Sequence, residues 1–440
     1  MNAKLIFWTV VVALGGLLFG IDVAVISGAE QQIQQLWSLS DALHGQAMAA
    51  ALYGTVLGAL LGGMPAEKYG RKKTLIIIGV LYLVSALGSA LAPDVWWFIA
   101  LRFLGGLGVG ASSVVAPMYI SEIAPARNRG KLVATFQFNI VLGILLAYLF
   151  NYLLKDMGTN AWRYMLGVEA IPAAIFTLLL FFVPESPRWL MVHQFDFMGA
   201  RRILSISDPQ GMDVAIQSIQ AQVELDSKKA TLSSFWSRRY YKPIIMALVI
   251  AFFNQMSGIN AIIYFSPRIF SMAGLSSSAA FLQSTGIGLI NLIFTMLGLY
   301  LIDRMGRRQL LLMGSLGYIL SLSAVAFAFY SGSLGGWLVP ACLFVFIAAH
   351  AIGQGAVIWV FISEIFPNAV RSYGQSLGAS VHWIMAALIT AIFPVVANHP
   401  AIGPPKIFFF FAVMMVLQLI WVLTRMPETK GVPLEALEKE

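Results

Sequence analysis

Three ionisable residues stand inside runs that are otherwise apolar. Asp22 lies in Leu17-Leu18-Phe19-Gly20-Ile21-Asp22-Val23-Ala24-Val25, Arg102 in Ile99-Ala100-Leu101-Arg102-Phe103-Leu104, and Glu169 in a third such run. At the centre of a bilayer-spanning helix a charge costs at least about 2.5–3.5 kcal/mol on insertion scales, so each should have a partner or a task. Asp22 and Arg102 could form a static buried ion pair. They could equally form a proton site, because a carboxylate beside a guanidinium keeps its charge and a buried one without it takes a proton. A pair that opens and closes would then bind and release a proton, and this is the reading adopted. Glu169 either joins that chemistry or pairs with Arg163.

A second set is polar but neutral. Asn254, Gln255 and Asn260 share one apolar run, Gln137 and Asn291 lie in two others, and Trp359, His382 and Trp383 lie in two more. Amides at such depth either bond a neighbouring helix or, with an aromatic face beside them, hold a neutral ligand. Asn254 to Asn260 is nearly two helical turns, so Gln255 and Asn260 converge only if the helix unwinds near Gly258. Trp8, Trp96, Trp97 and Trp421 read as interfacial; Trp359 and Trp383 lie deeper.

The elements that must position these groups are membrane helices. Of 440 residues, 59% are hydrophobic and 11% charged, where soluble domains carry about 25% charged residues. Taking about 20 apolar residues per crossing gives twelve spans, near 5–28, 45–65, 74–92, 96–118, 131–154, 164–183, 244–270, 279–301, 309–330, 337–361, 372–396 and 406–425. The one long polar stretch, 185–242, contains Arg201-Arg202, a Gln-rich pattern near 213–225 and Lys228-Lys229, and should form short amphipathic helices. The domains are then an N-terminal six-helix half (1–184), a cytoplasmic linker (185–242) and a C-terminal six-helix half with a short cytoplasmic tail (243–440).

The net charge of +8 does not indicate nucleic acid, because the basic residues sit in short clusters between spans. Lys68, Arg71, Lys72, Lys73, Arg127, Arg129, Lys131, Arg304, Arg307, Arg308 and Arg371 follow alternate spans, which places those loops and both termini in the cytoplasm. The N-terminal run is read as a retained span, since no small-residue cleavage site ends it before Asp22. The single cysteine, Cys342, can form no intrachain disulfide. The many glycines of the early spans read as packing positions. No nucleophile, metal cluster or phosphate loop suggests an enzyme, a metal or another cofactor.

The chain also repeats itself about 240 residues apart. Gly20-Ile21-Asp22 returns as Gly258-Ile259-Asn260, Gly70-Arg71-Lys72 as Gly306-Arg307-Arg308, Tyr119-Ile120-Ser121-Glu122 as Phe361-Ile362-Ser363-Glu364, and Pro184-Glu185-Ser186 as Pro427-Glu428-Thr429. Repeated halves in a membrane chain point to a transporter that rocks around a site between them.

With Gly105-Gly106-Leu107-Gly108-Val109-Gly110, Pro187-Arg188 and Gln255-Met256-Ser257-Gly258-Ile259-Asn260, these motifs resemble the sugar porters of the major facilitator superfamily. The likeness spans the whole chain and is nearest to bacterial sugar–proton symporters. The resemblance implies an all-α membrane protein of twelve transmembrane helices with the major facilitator fold, its two six-helix halves related by pseudo-symmetry. It implies proton coupling at Asp22, modulated by Arg102 with Glu169 contributing, and sugar contacts from Gln137, Gln255, Asn260, Asn291, Trp359 and Trp383. Asn254, Gly355 and His382 are placed with them, and Phe19 and Tyr264 match gate or wall aromatics. Arg71, Glu122, Arg129, Glu185, Arg188, Arg308, Glu364 and Arg371 form a cytoplasmic gate of weak surface ion pairs, though simple positive-inside anchoring would also account for the basic ones.

Several positions depart from the family pattern. Gln354 and Ala356 replace the Trp and Pro of Trp-Gly-Pro, Ile144 replaces a sugar-binding Gln, and His382 stands where the nearest members have Gln. The expectation is a functional monomer in the bacterial inner membrane that carries a hexose or pentose inward with a proton by alternating access. An uncoupled facilitator, a sugar sensor and a drug–proton antiporter are the alternatives. Which of xylose, glucose, fructose, galactose or arabinose is carried stays open.

Overall fold

A computed structural model describes residues 2–226, 232–333, 336–367 and 370–431; Lys228-Lys229 and the tail from 432 lie outside them. Among the described residues the regular structure is helical, without strands. Eleven helices are long and apolar enough to cross a membrane, and Asp41–Leu61 with Gly63–Tyr69, bent by 47°, makes a twelfth span. The remaining spans, in order, are Ala3–Leu36, Arg71–Ala90, Val95–Ile123, Ala126–Leu154, Gly158–Leu180, Arg238–Met272, Ser277–Met305, Arg307–Ser331, Leu338–Glu364, Arg371–Ala397 and Gly403–Thr424.

The helices overrun the apolar segments. The first continues past residue 28 to Leu36 through Glu30, Gln31, Gln32, Gln34 and Gln35. An apolar-run criterion stops at those residues, whereas the helix does not, because Glu30 finds partners.

Two spans break where a site needs them. The seventh divides into Tyr241–Met256 and Ile259–Met272 at Gly258, whose φ of 84° is left-handed; this is the unwinding expected there. The tenth divides into Leu338–Ile352 and Gln354–Glu364 at Gly353.

The residues group into two compact units, one of Met1–Asp22, Tyr53–Ile144 and Leu166–Lys229, the other of Val23–Leu52, Leu145–Met165 and Ala230–Glu440. This grouping differs from the division at 184 and 243, because the first, second, fifth and sixth spans each change unit part-way. Within the first unit, the second and fourth spans pack backbone to backbone: a Cβ on Gly54 would overlap the Phe103 carbonyl, and one on Gly110 the Thr55 carbonyl. Within the second unit, the Tyr148 hydroxyl donates to the Ile263 carbonyl (2.7 Å) and the Asn151 side chain to the Val25 carbonyl (3.1 Å). A cluster around Ile250, Leu310, Phe361 and Phe366 fills this unit's other end.

The polar stretch forms Pro187–His193, Phe197–Ser207 and Met212–Asp226. Ser186 and Asp196 cap the first two, accepting from the Trp189 and Gly199 N–H groups, as short polar side chains do at helix starts. The second buries Ala200, Ile203, Leu204 and Ser207 on one face and leaves Arg201 and Arg202 exposed, which is the amphipathic spacing of a helix.

Candidate functional site

Asp22 and Arg102 meet within the first unit. Arg102 Nη1 donates to Asp22 Oδ1 at 2.6 Å, and Nη2 to Oδ2 at 3.4 Å and to the Asp22 backbone carbonyl at 3.0 Å. Both side chains are 2% exposed. Gly105 lies beside the pair and makes room for Ser85, whose Oγ would overlap a Cβ there. Glu169, also buried, lies where the sixth span breaks between Ala161–Gly167 and Ala170–Leu180. It is within Coulombic reach of both Asp22 and Arg102. Arg163, its alternative partner on sequence, lies 4.3 Å over the Trp162 ring. Buried Phe19 and half-buried Gln137 belong to the first unit as well.

The break at Gly258 gathers the amides of the second unit. Asn260 Nδ2 donates to Gln255 Oε1 (2.7 Å), and Gln255 Nε2 to Asn254 Oδ1 (2.9 Å). Asn254 and Gln255 end one helix and Asn260 opens the next, so residues that a continuous helix would turn apart converge. Gln255 Nε2 also faces the His382 ring at 3.3 Å. That ring sits between two indoles, with centroids 5.0 Å from Trp359 and 4.7 Å from Trp383. Trp383 is buried, whereas Trp359 is 39% exposed.

Asn291, buried, accepts from Thr295 Oγ1 at 3.3 Å, a bond within its own helix and not the bond to a neighbouring helix that sequence left open for it. Tyr264 is buried. Gly355 lets the chain pass His350, whose carbonyl would lie 3.1 Å from a Cβ. Donors and acceptors beside an indole face suit a neutral polyol, whose ring offers hydroxyls at its rim and C–H groups on its face.

The repeated basic motifs build the same device twice. Arg71 grips Glu122 through Nε (3.0 Å) and Nη2 (2.9 Å), while the Arg71 and Lys72 backbone N–H groups donate to Glu185 at 2.9 and 3.1 Å. Arg307 grips Glu364 through Nε (2.9 Å) and Nη2 (2.6 Å), while the Arg307 and Arg308 N–H groups donate to Glu428, each at 3.0 Å. Glu185 and Glu428 thus cap the starts of the third and ninth spans, where free N–H groups and the helix dipole favour an anion. Gly70 (φ 97°) and Gly306 (φ 91°) precede those helices, and the capping carboxylate fills the space a Cβ would need.

Of the two adjacent arginines, Arg307 is the partner of Glu364, and Arg308, named for the gate from sequence, is not. Arg308 instead donates to the Val422 and Leu423 carbonyls, because the next residue along a helix points about 100° away. Arg129 is exposed and Arg188 half-buried; Arg371 donates to the Phe366 carbonyl at 3.4 Å.

Sequence reading missed a cluster at the opposite ends of the spans, inside the second unit. Glu30 and His44 are both fully buried and bonded at 2.8 Å. Arg268 clamps Glu30 through Nε (2.9 Å) and Nη2 (2.6 Å) and also donates to Gln34 Oε1. Gln34 and Asn398 both donate to Asp41 Oδ1 at 2.8 Å. The first, second, seventh and eleventh spans are joined by these bonds. The available signal was a carboxylate just past the first apolar run and a histidine just before the second, with an arginine next to Pro267.

A family model described as sugar (and other) transporter matches residues 8–440. The chain is 34% identical over 474 residues to the D-xylose-proton symporter of Escherichia coli strain K12, covering 99% of this chain and 96% of that protein. It is 34% identical over 443 residues to a glucose transporter of Staphylococcus epidermidis, covering 100% and 97%. A solved structure of the E. coli xylose transporter XylE, in a partially occluded inward open conformation, matches with a TM-score of 0.85 at 34% identity, covering 98% of this chain and all of that one. With twelve spans, a buried carboxylate–guanidinium pair and a buried amide cluster on one chain, the protein belongs to the sugar transporter family of the major facilitator superfamily.

Proposed function

We propose that this protein carries a monosaccharide, hexose or pentose, into the cell together with a proton by alternating access. The observation that carries the coupling is the fully buried Asp22–Arg102 pair at 2.6 Å. A guanidinium at that distance holds the charged form of a carboxylate, and parting the two in a dry interior favours the protonated form. The amides around Asn260, with His382 and the two indoles, receive the sugar. The relatives named above as carrying xylose and glucose support this class of cargo.

The halves 1–184 and 243–440 move as the repeated elements, and 185–242 lies along the cytoplasmic face. The Arg71–Glu122 and Arg307–Glu364 grips close the cytoplasmic side in one state and release in the other. The Glu30–Arg268–His44 cluster latches the external side in the state that closes it. The protein works as a monomer in the bacterial inner membrane with both termini in the cytoplasm. One elementary charge crossing inward contributes about 2.3 kcal/mol per 100 mV, which supports roughly fortyfold accumulation of sugar.

The test is Asp22→Asn in sealed vesicles. Retained counterflow with loss of accumulation is the expected result. Accumulation against a gradient by the mutant would overturn proton coupling through Asp22 and favour another proton site, whereas no accumulation by the wild type would favour an uncoupled facilitator.

A further inference from the structure

The buried amides do not end at the candidate sugar site. Asn254 Nδ2 donates to Gln354 Oε1 at 3.4 Å, Gln354 Nε2 to Gln418 Oε1 at 2.7 Å, and Gln418 Nε2 to Ser315 Oγ at 2.8 Å. The Ser315 hydroxyl in turn donates to the Leu311 carbonyl at 2.8 Å. Gln354, Gln418 and Ser315 are each 0% exposed. The series crosses the seventh, tenth, twelfth and ninth spans, and Gln354 is the first residue after the break at Gly353.

A carboxamide has a donor end and an acceptor end, and in a dry interior each must face its complement. The one hydroxyl hydrogen of Ser315 is held by Leu311, so its oxygen can only accept from Gln418. The Gln418 amino group must therefore face Ser315 and its carbonyl Gln354. That in turn aims the Gln354 amino group at Gln418 and its carbonyl at Asn254. Asn254 is left with its carbonyl for Gln255, and Gln255 with its carbonyl for Asn260. Every orientation follows from the one before it, and reversing any amide would set two donors or two acceptors against each other.

We propose that Ser315, Gln418 and Gln354 are positioning residues that fix the donor–acceptor polarity of the sugar site from its far end. With its amino group held by Gln255, Asn260 offers its carbonyl to a sugar hydroxyl. The site then selects a hydroxyl that donates at that place, although none of the three positioning residues touches sugar. The inference rests on the sugar reading above.

The probe is whichever of D-xylose, D-glucose, D-fructose, D-galactose and L-arabinose the wild type takes up best, with its monodeoxy derivatives, in competition uptake by the full-length protein. In the wild type at least one deoxy derivative should bind about tenfold more weakly than its parent, the size of one hydrogen bond. In Ser315→Ala and Gln418→Met that penalty should fall to about twofold or move to a different hydroxyl. Ser315→Thr, which keeps the hydroxyl, should retain the wild-type pattern. A purely structural role would weaken parent and derivatives alike and leave their ratios unchanged; that result in a folded Ser315→Ala protein overturns the inference, whether or not Gln418→Met folds. Uptake of none of the five sugars by the wild type would overturn the transport reading and this inference with it, whereas unchanged ratios would leave the transport reading standing.

Discussion

Replacing Arg268 with Gln should unlatch the external side. Glu30 is fully buried and takes two contacts from Arg268, at 2.9 and 2.6 Å. Removing one partner of a buried ion pair typically costs about 3–5 kcal/mol, because the remaining charge is stranded. In the closed state the stranded Glu30 keeps only the His44 contact at 2.8 Å. In an opened state water would solvate it. The cost therefore falls almost wholly on the closed state and acts on the closed–open equilibrium. The lower end of that range already corresponds to about a hundredfold shift toward opening.

The assay uses Ala29, fully buried one residue before Glu30. With Cys342 replaced and Ala29→Cys introduced, modification by a membrane-impermeant maleimide reports opening of the external side. Arg268→Gln should raise the modification rate about a hundredfold over the parent. A rate within twofold of the parent, in protein that remains folded, would refute the latch.

Three further outcomes are expected. Gly258→Ala should impair sugar uptake and lower the melting temperature, because the left-handed backbone disfavours a Cβ by about 1–2 kcal/mol and the Cβ would meet the Phe411 ring at 2.5 Å; wild-type uptake would show that the turn tolerates a side chain. Arg307→Ala should slow exchange by releasing Glu364, while Arg308→Ala should keep exchange and lose about 1 kcal/mol of stability with its two carbonyl bonds; equal effects on counterflow would refute the distinction. Burial pushes the Glu185 carboxyl above the ordinary value despite the Ser186, Lys72 and Arg71 N–H groups. Burial acts the same way on Glu428, but the Lys430, Arg307, Arg308 and Thr429 N–H groups outweigh it and hold that carboxyl low. Ionised Glu428 therefore stabilises the fold at neutral pH and the contribution disappears as pH falls through its lowered value, whereas ionised Glu185 does not. Glu428→Gln should lower the melting temperature at pH 7 and Glu185→Gln should not, with the Glu428→Gln difference vanishing in acid; the opposite order would be decisive against this assignment.

Much of this arrangement is legible in the chain because lipid makes deviations from apolarity expensive. Asp22 and Arg102 announced themselves as charges where none should be, and they are bonded. Gly258 was readable because only an interrupted helix brings Gln255 and Asn260 together, and the interruption is there. Gln418 could have been found by the reasoning applied to Asn291, as an amide alone in an apolar run. The Glu30–His44–Arg268 cluster was hidden for a different reason. Polar residues just past an apolar run look like loop, and only three-dimensional pairing shows that the helix continues. Arg307 against Arg308 was a question of helical phase, which adjacency in sequence does not settle.

The anchoring of Arg102 carries one more consequence. The guanidinium holds Asp22 by its carboxylate and separately by its main-chain carbonyl. Neutralising the carboxylate would cut the first tie and leave the second, so the cation stays moored to the same helix. Glu169 is close enough to feel both groups. Two carboxyl groups and one fixed cation sum to zero charge only when a single proton is held among them. Under the proposed symport, one proton per sugar is then a matter of charge balance in a dry place, and the proton belongs to the trio more than to Asp22 alone.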